Sequence, residues 1–434
     1  MRKMGEEIVS TSDLLKVTIA ALFGAWAEVY DFVVAGPISS IAWPHVFFPE
    51  INPALATAAG ISTFLVSFAV RPVGGWLFGH MGDRLGRRSS VVWTLFTAGI
   101  GTLIIVLLPG YSAIGILAPA ILIVARVLVG LGFGGEFGST STWVLEQAAH
   151  RKRRGFWTAL LGQGYTLGPL TAAGVVTATL SSVGLKAFID FWWRVPFMIA
   201  LVVLVIGIVI RYELMESPIF RKIYSAGKIV SAPISKLFRE MPGRWLLVTL
   251  TAMSTQIGFY AGNTIMVPYI EHVLKLPASF ATFTFLTGEI LGVVVAIIAA
   301  LTVDVIGRKR LLAIMIGILL TFAIPYGYLM STGMPKYVLI AQTIIMGVAS
   351  GGIPPVLTSF ASESFPPQYR VTGTGLAWQF SIIFGTLPES YLMLYLMGFG
   401  RIGAIYISLV VLVVEAISLG ALLALKETKG ISIE

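Results

Sequence analysis

The chain contains repeated apolar runs of about 20 residues, and this feature leaves few folds open to it. A helix rises about 1.5 Å per residue, so each run is long enough to cross about 30 Å of hydrocarbon. The runs are continuously apolar, whereas the strands of a membrane barrel alternate in polarity and need only about 10 residues. Only 12% of the residues are charged, about half the share found in soluble domains. The sequence therefore predicts an all-α membrane protein.

Twelve apolar runs are predicted to be transmembrane helices, and we number them span 1 to span 12. They cover residues 14–36, 56–79, 90–109, 114–138, 156–180, 194–211, 245–270, 280–303, 310–330, 336–361, 371–396 and 402–425. A long polar segment follows span 6 and divides the chain into two halves. We expect an N-terminal six-helix bundle over residues 1–211, an inter-bundle segment over 212–244 and a C-terminal six-helix bundle over 245–434.

Most of the 30 basic residues lie in the loops on one side of the spans, which we call the basic face. They are Arg2, Lys3, Lys16, Arg84, Arg87, Arg88, Arg151, Lys152, Arg153, Arg154, Arg211, Arg221, Lys222, Lys228, Lys236, Arg239, Arg244, Arg308, Lys309, Arg310, Arg370, Lys426 and Lys429. Loops that are rich in Lys and Arg face the cytoplasm. We therefore expect a multi-pass protein of the cell membrane with both ends of the chain in the cytoplasm. The net charge of +9 predicts no nucleic-acid partner, because such binding needs basic residues clustered on a solvated face.

The two halves carry similar strings at similar positions. Asp83 follows span 2 within Gly-Asp-Arg-Leu-Gly-Arg-Arg, and Asp304 follows span 8 within Val-Asp-Val-Ile-Gly-Arg-Lys-Arg. Glu146 and Glu363 end spans 4 and 10 at nearly the same offset. This pattern indicates a duplicated six-helix unit, a plan on which transporters are built with the substrate site between the halves.

The string after span 2 predicts a conformational latch. Its glycines allow two helix ends to approach closely and the chain to turn sharply. Asp83 can pair with an arginine or with the positive N-terminus of a neighbouring helix, and such a contact must break when the transporter changes conformation. A generic positively charged turn is the alternative. The predicted latch residues are Gly79, Gly82, Asp83, Arg84, Gly86, Arg87, Arg88, Asp304 and Arg308.

Further strings distributed over nearly the whole chain carry a family resemblance. They are Glu28-Val29-Tyr30-Asp31-Phe32, Arg71-Pro72-Val73-Gly74-Gly75, Phe78-Gly79-His80, Arg126 with Gly130, Gly132, Gly134, Gly135 and Glu136, Trp193-Arg194-Val195-Pro196-Phe197, Glu216-Ser217-Pro218, Glu363-Ser364-Phe365-Pro366 with Arg370 and Gly373, and Glu427-Thr428-Lys429-Gly430. The chain resembles the major facilitator superfamily and, within it, the metabolite:proton symporters, which include dicarboxylate, shikimate and betaine/proline transporters. The resemblance implies two pseudo-symmetric six-helix bundles around a central cavity. The chain departs from the family at Ala25 and Val29, where Asn and Trp are common. These two differences bear on which substrate is transported.

Charged residues inside the spans are costly and indicate function. Glu28 and Asp31 share one face of span 1, while Arg126 and Glu136 lie on span 4. The resemblance pairs a first-span aspartate with a fourth-span arginine, and Asp31 and Arg126 occupy those places. A carboxylate held by an arginine stays ionised, and one that loses its partner takes up a proton. We expect Asp31 to couple transport to protons, with Glu28 and Glu136 as alternatives. The alternative is that Asp31 and Arg126 form a purely structural ion pair.

Several polar residues are candidates for contact with the substrate. Arg126 offers buried positive charge to an anion, and span 7 presents a polar stripe that includes Gln256, Tyr260 and Asn263. Further candidates are Tyr30, Trp378 and Gln379. The roles of three further charged residues are less certain from the sequence. Arg71 is either a cavity cation or, as we favour, part of a helix contact, and Glu289 is either a cavity carboxylate or part of helix packing. The resemblance implies that Glu415 lies outside the cavity.

The expected function is proton-coupled symport of a small polar metabolite by alternating access, with an organic acid preferred. A zwitterionic osmolyte, an amino acid, a sugar or uncoupled uniport are the alternatives. An enzyme would need a nucleophile, metal or cofactor constellation, and the chain has no cysteine and only four scattered histidines. We expect no enzyme activity, no cofactor and no metal. The expected partners are the substrate, protons and the lipid bilayer, and we expect a monomer.

Overall fold

The predicted all-α architecture of twelve spans is confirmed. A computed structural model describes residues 9–260, 266 and 269–434, and this part of the chain contains helices and no strand. The helices of spans 1 to 12 are, in order, Thr11–Ile41, Pro53–Arg84, Arg87–Leu107, Leu117–Gln147, Arg154–Leu161 with Gly164–Ala187, Arg194–Glu213, Pro242–Tyr260, Ala278–Ile306, Arg308–Ser331, Pro335–Gly352 with Pro354–Glu363, Arg370–Met397 and Gly403–Ala424.

Within the described residues, ten helices are long and apolar enough to cross a membrane. Spans 7 and 11 complete the predicted set with helices of 19 and 28 residues. Shorter segments connect the spans or lie between the bundles, namely Trp43–Phe47, Tyr111–Ile114, Phe188–Trp192, Pro218–Ser225, Pro233–Glu240, Tyr269–Val273 and Gly400–Ile402. The chain is therefore a multi-pass membrane protein.

Several helices continue beyond the apolar run that predicts them. Span 4 is predicted to end at residue 138, but its helix runs to Gln147, and residues 139–147 are all buried. Polar groups in this extension contact other helices instead of lipid or water, so hydropathy alone does not mark the end of the helix. The string Gly351-Gly352-Ile353-Pro354-Pro355 predicts a break in span 10. The break is present: one helix ends at Gly352 and the next begins at Pro354.

The two bundles contact each other through spans 2, 4 and 5 on one side and spans 8, 10 and 11 on the other. Span 11 packs against spans 2 and 4, and span 5 packs against spans 8 and 10. This arrangement has the pseudo-symmetry expected for a duplicated unit, because the contact of span 2 with span 11 has its counterpart in that of span 5 with span 8.

Spans 2 and 4 approach each other closely through glycines. A Cβ atom at Gly134 would overlap the backbone carbonyl of Arg71, and one at Gly130 would overlap that of Ser67. Because backbone atoms cannot move aside like the end of a flexible side chain, these two positions need glycine. The packing of these spans fixes the position of Arg71, which matters for the pocket described below.

Gly134→Ala is expected to lower the stability of the protein by about 1–3 kcal/mol, the usual cost of forcing extra atoms into a packed core. Thermal unfolding in detergent measures the effect. Gly174→Ala is the matched control, since a Cβ there meets no atom within 4 Å and alanine favours the helix by about 1 kcal/mol. Equal melting temperatures for the two variants would contradict the packing argument.

Candidate functional site

A pocket between the two bundles is the candidate substrate site. About 500 Å³ lies between its walls, a volume that includes space open to solvent. Spans 1, 2 and 5 form one side of its wall, and spans 7, 10 and 11 form the other. The lining residues are Glu28, Val29, Phe32, Arg71, Tyr165, Thr255, Gln256, Phe259, Ser350, Pro354, Trp378 and Ile382. A mostly apolar wall with a few polar groups is typical of small-molecule sites.

A buried ion pair between spans 1 and 2 forms part of the pocket wall. Arg71 Nη1 donates to Glu28 Oε1 at 2.9 Å, and the two residues are only 7% and 2% exposed. The guanidinium also lies over the ring of Phe68, with its central carbon 4.9 Å from the ring centroid. Arg71 Nε and Glu28 Oε2 have no hydrogen-bond partner in the described part of the chain. The pair therefore keeps hydrogen-bonding capacity for a ligand.

The pair predicted from spans 1 and 4 is also formed, but it does not line this pocket. Arg126 Nη1 donates to Asp31 Oδ2 at 2.9 Å, and Arg126 Nη2 donates to Ser67 Oγ at 2.9 Å. The guanidinium lies near the rings of Trp43 and Phe64, with distances of 6.0 and 5.7 Å to the ring centroids. Arg126 is thus enclosed by span 1, span 2 and aromatic side chains, and it is not among the residues that line the pocket.

Glu136, the third candidate carboxylate, lies in a different network nearer the basic face. It accepts hydrogen bonds from Arg211 Nη2 at 2.6 Å and from Thr94 at 2.8 Å. Arg211, which the sequence places at the boundary between span 6 and the following basic segment, is fully buried in the last turn of span 6. Burial is possible because Glu136 neutralises its charge and the backbone carbonyls of Ala20 and Val91 accept its other hydrogens.

Of the remaining predicted substrate residues that the structure describes, two line the pocket and two do not. Gln256 and Trp378 line the pocket, with Gln256 Nε2 donating to Ser381 Oγ at 3.3 Å and Trp378 stacked on Phe137. Tyr30 and Gln379 do not line it. Their side chains donate to the carbonyls of Pro196 and Gly134, respectively. The side chain of Tyr260 and all of Asn263 lie outside the described residues.

Several pocket residues were missed by sequence reasoning because they are apolar or carry a single hydroxyl. Phe32 lies one helical turn after Glu28, and that spacing could have indicated it. Tyr165 precedes the Gly-Pro step of span 5, and its hydroxyl lies beside the Glu28 carboxylate. Ser350 lies shortly before the break in span 10. The position of Arg71 in the wall could not be read from its sequence context.

At the basic face, the latch residues join the two bundles. Asp83, at the end of span 2, accepts hydrogen bonds from the backbone N–H groups of Val371 and Thr372 at 3.1 and 2.9 Å. These groups lie in the first turn of span 11, where the helix carries partial positive charge. Asp83 also lies 3.5 Å from Arg87 within its own bundle. A single carboxylate therefore holds the end of span 2 to the start of span 11.

The second half repeats the contact in the opposite direction. Asp304 ends span 8 and accepts from the backbone N–H groups of Gly155 and Phe156, at the start of span 5, at 3.1 and 2.7 Å. Its intrabundle partner is Arg308, at 2.9 Å. The two contacts are related by the duplication, and both join the two bundles at the basic face.

Two further carboxylates act across the same interface. Glu146 of span 4 accepts from Arg87 at 3.0 Å and from Arg370 of the other bundle at 2.7 Å. Its counterpart Glu363 accepts from Arg154 of the other bundle at 2.7 Å and lies 3.2 Å from Arg308. Each glutamate thus shares its charge between an arginine of its own bundle and one of the partner bundle.

The glycines of the latch allow these close approaches. Gly79 and Gly82 lie against span 11, where a Cβ would come within 2.8 Å of Thr372 and 2.9 Å of Val371. Gly86 has φ of +118°, which favours glycine, and a Cβ there would overlap the carboxylate of Glu216. Arg84 is exposed and interacts with His80 instead of the partner bundle.

A carboxylate from outside the spans caps the helix that follows each latch. Glu216 accepts from the backbone N–H groups of Arg87 and Arg88, at the start of span 3. Glu427 accepts from those of Arg308 and Lys309, at the start of span 9. Burial raises the pKa of Glu216. Burial also opposes ionisation of Glu427, but the backbone N–H groups bonded to it outweigh that effect and lower its pKa.

Asp83→Asn is expected to open the basic face more often, because the amide loses the charge that attracts the start of span 11. The loss of one charge-assisted bond, about 1.5 kcal/mol, raises the open population about tenfold. The chain has no cysteine, so Ser141→Cys provides a unique thiol. This position is buried, one helical turn beyond Gly138, which contacts Gly375 of the other bundle.

The rate of thiol labelling in the Asp83→Asn, Ser141→Cys double variant measures the opening. Ser141→Cys alone gives the reference rate, and Asp190→Asn, an exposed aspartate at the opposite face, is the matched control. A labelling rate equal to the reference in Asp83→Asn would show that this carboxylate does not hold the bundles together.

Comparison with known proteins places the chain in a family. Residues 21–386 match the family model described as Major Facilitator Superfamily. The chain is 32% identical over 424 residues to the inner membrane metabolite transport protein YhjE of Escherichia coli, with 95% of this chain and 94% of the relative covered. It is 28% identical to the shikimate transporter of Escherichia coli, over 88% of this chain and 87% of that one. It is 29% identical to the proline/betaine transporter of Escherichia coli, over 88% of this chain and 78% of that one.

The fold is also that of solved structures. The proton:xylose symporter XylE bound to 6-bromo-6-deoxy-D-glucose superposes with a TM-score of 0.77 at 17% sequence identity, over 98% of both chains. A partially occluded inward-open conformation of the xylose transporter XylE from E. coli gives a TM-score of 0.70 at 16% identity, over 97% of this chain and 100% of that one. The family match and the relatives identify the chain as a transporter of small molecules, not an enzyme, and a member of the major facilitator superfamily.

Proposed function

We propose that this transporter is a proton-coupled symporter of a small metabolite that carries a carboxylate. Its basic face lies in the cytoplasm, as the distribution of Lys and Arg predicts. The observation that carries the proposal is the buried ion pair of Glu28 and Arg71 in the wall of the central pocket. A pocket that already holds a carboxylate on an arginine offers the same bond to the carboxylate of a substrate.

Binding of such a substrate exchanges one carboxylate for another. The guanidinium of Arg71 has an unpartnered Nε, so it can form the bidentate contact that arginine makes with carboxylates. The substrate then competes with Glu28 for the same cation. Gln256 and Trp378 from the other bundle supply a hydrogen-bond donor and an aromatic surface on the opposite side of the pocket.

The exchange couples the substrate to a proton. A carboxylate that loses its partner inside a protein costs about 3–5 kcal/mol, and Glu28 avoids this cost by taking up a proton. Tyr165, whose hydroxyl lies beside Glu28, can hydrogen-bond the protonated acid. The anion and the proton then enter together. Asp31 is the alternative coupling group, through its pair with Arg126.

Transport then requires the basic face to open. The substrate site lies between bundles that are held together by the contacts of Asp83 and Asp304 with helix N-termini. These are hydrogen bonds to backbone groups at helix ends, so they can break without disturbing the core of either bundle. Their pseudo-symmetric arrangement supports rocking of one bundle against the other.

A zwitterionic substrate is the second candidate, because the pocket holds both signs of charge side by side. Arg71 would bind the carboxylate of the zwitterion, and Glu28 would face its cation. The aromatic rings of Phe32, Phe259 and Trp378 in the wall could attract a quaternary ammonium group. Uptake into proteoliposomes of a panel of organic acids, betaines, amino acids and sugars, with and without a pH gradient, discriminates between the candidates.

Arg71→Lys is expected to weaken substrate binding about 10- to 150-fold, since lysine cannot form the bidentate pair and a charge-assisted bond contributes about 1.5–3 kcal/mol. Binding of the substrate found in the uptake panel is measured in detergent at constant pH. Arg126→Lys is the matched comparison, because Arg126 is equally buried but does not line the pocket. A stronger loss of affinity in Arg126→Lys than in Arg71→Lys would refute the assignment of Arg71.

Glu28→Gln is expected to abolish uphill, proton-driven accumulation and to leave exchange of labelled substrate across the membrane measurable. The amide keeps the shape of the protonated acid but cannot release a proton. Asp31→Asn is assayed in parallel as the alternative. Accumulation that persists in Glu28→Gln and is lost in Asp31→Asn would assign coupling to the pair of spans 1 and 4.

A further inference from the structure

The second bundle contains a buried carboxyl group that the proposed function does not use. Glu289, in the middle of span 8, is fully buried, and neither of its oxygens forms a hydrogen bond of regular geometry in the described part of the chain. Glu28, Asp31 and Glu136 of the first bundle are each paired with an arginine. Glu289 therefore lies in a different electrostatic environment from these three.

The surroundings of Glu289 hold no compensating charge. Spans 5, 9 and 10 pack against span 8. On this face they present Thr166, Met346 and Ser350 to the flanking glycines, Gly288 and Gly292. Among the described residues, no lysine, arginine, histidine or second carboxyl group interacts with Glu289. An ionised carboxylate in such a place carries the full cost of a lone buried charge, which a neutral acid does not.

The hydrogen bonds of Ser350 point in the same direction. The hydroxyl of Ser350 is the polar group beside Glu289, and it donates its one hydrogen to the carbonyl of Met346 at 2.8 Å. Its oxygen can then only accept a further hydrogen bond. While this hydrogen stays on Met346, the two groups can bond only if Glu289 carries a proton, because an ionised carboxylate also only accepts.

Ser350 also connects Glu289 to the substrate pocket. It belongs to the pocket wall, and it lies two residues before the helix end at Gly352, where span 10 breaks. Bending at this break would move Ser350 relative to span 8. The hydroxyl interacts with the acid, and Ser350 lines the pocket, so this residue offers a polar route between them.

We propose that Glu289 is a second proton-binding group of this transporter and that its proton exchanges with the central pocket through Ser350. Only the role of Glu289 in transport rests on the proposed function, which is proton-coupled symport. Whether the acid holds an exchangeable proton is a separate question that can be measured without any transport assay.

Infrared spectroscopy of the purified protein in lipid tests the site. A buried acid gives a carboxylic C=O stretching band, which shifts when its proton is replaced by deuterium. We expect a band in the wild type at neutral pH that is missing from Glu289→Gln. Glu415→Gln is the matched control, because Glu415 is equally buried in the same bundle but contacts Ser254 and not the pocket. A spectrum of Glu289→Gln that retains every carboxylic band of the wild type would show that Glu289 is ionised and overturn the proposal.

Ser350→Ala tests the route. We expect this variant to retain the band of Glu289 and to exchange its proton for deuterium at least several-fold more slowly than the wild type. Equal exchange rates would overturn the route through Ser350. If Glu289→Gln does not fold, Glu289→Asp replaces it: the aspartic acid must shift the same band, and an unchanged band contradicts the assignment.

Proton counting connects the site to transport and separates the two proposals. In proteoliposomes, the membrane potential or pH gradient that stops net flux gives the number of protons moved per substrate. Glu289→Gln is expected to lower this number by one, and a number equal to that of the wild type would overturn its role in transport. A wild-type protein that moves no protons would overturn the proposed symport, while the infrared experiment would still decide whether Glu289 holds a proton.

Discussion

The pairing of buried charges is the constraint on which the rest of this structure depends. Water is absent from the middle of a bilayer, so each ionised side chain there needs an opposite charge or a set of hydrogen bonds. The first bundle meets this requirement by placing each of its three inner carboxylates against an arginine from another span. These pairs determine how spans 1, 2, 4 and 6 are rotated against one another, and they thereby shape the pocket.

The duplication is retained at the basic face and lost in the middle of the spans. At the basic face, Asp83 and Asp304 bind helix N-termini of opposite bundles with nearly equal geometry. In the middle of the spans the halves differ, since the second bundle places Glu289 and Glu415 beside hydroxyl groups and not beside arginines. In the proposed mechanism, rocking uses the two similar surfaces, and substrate binding uses the charged pair of the first bundle.

The sequence predicts features that depend on local pattern and fails at those that depend on how helices are rotated. The twelve spans follow from hydropathy, and the break in span 10 from its glycines and prolines. Which arginine meets which carboxylate does not follow. Glu28 and Asp31 lie less than one turn apart on one helix, yet they pair with Arg71 and Arg126 from different spans. A rotation of span 1 by one residue, about 100°, would change both pairs, and no local pattern fixes that rotation.

The placement of Arg71 in the pocket wall explains how a buried ion pair can serve transport. A pair that is too stable would exclude the substrate, and an unpaired arginine would be costly in the empty pocket. Because Glu28 has the same functional group as the proposed substrate, Arg71 keeps a carboxylate partner whether the pocket is empty or filled. In the proposed mechanism, the exchange changes little in energy at the arginine, and the difference appears at Glu28 as the uptake of a proton. The cost of a lone buried charge is thereby converted into a coupling between anion and proton.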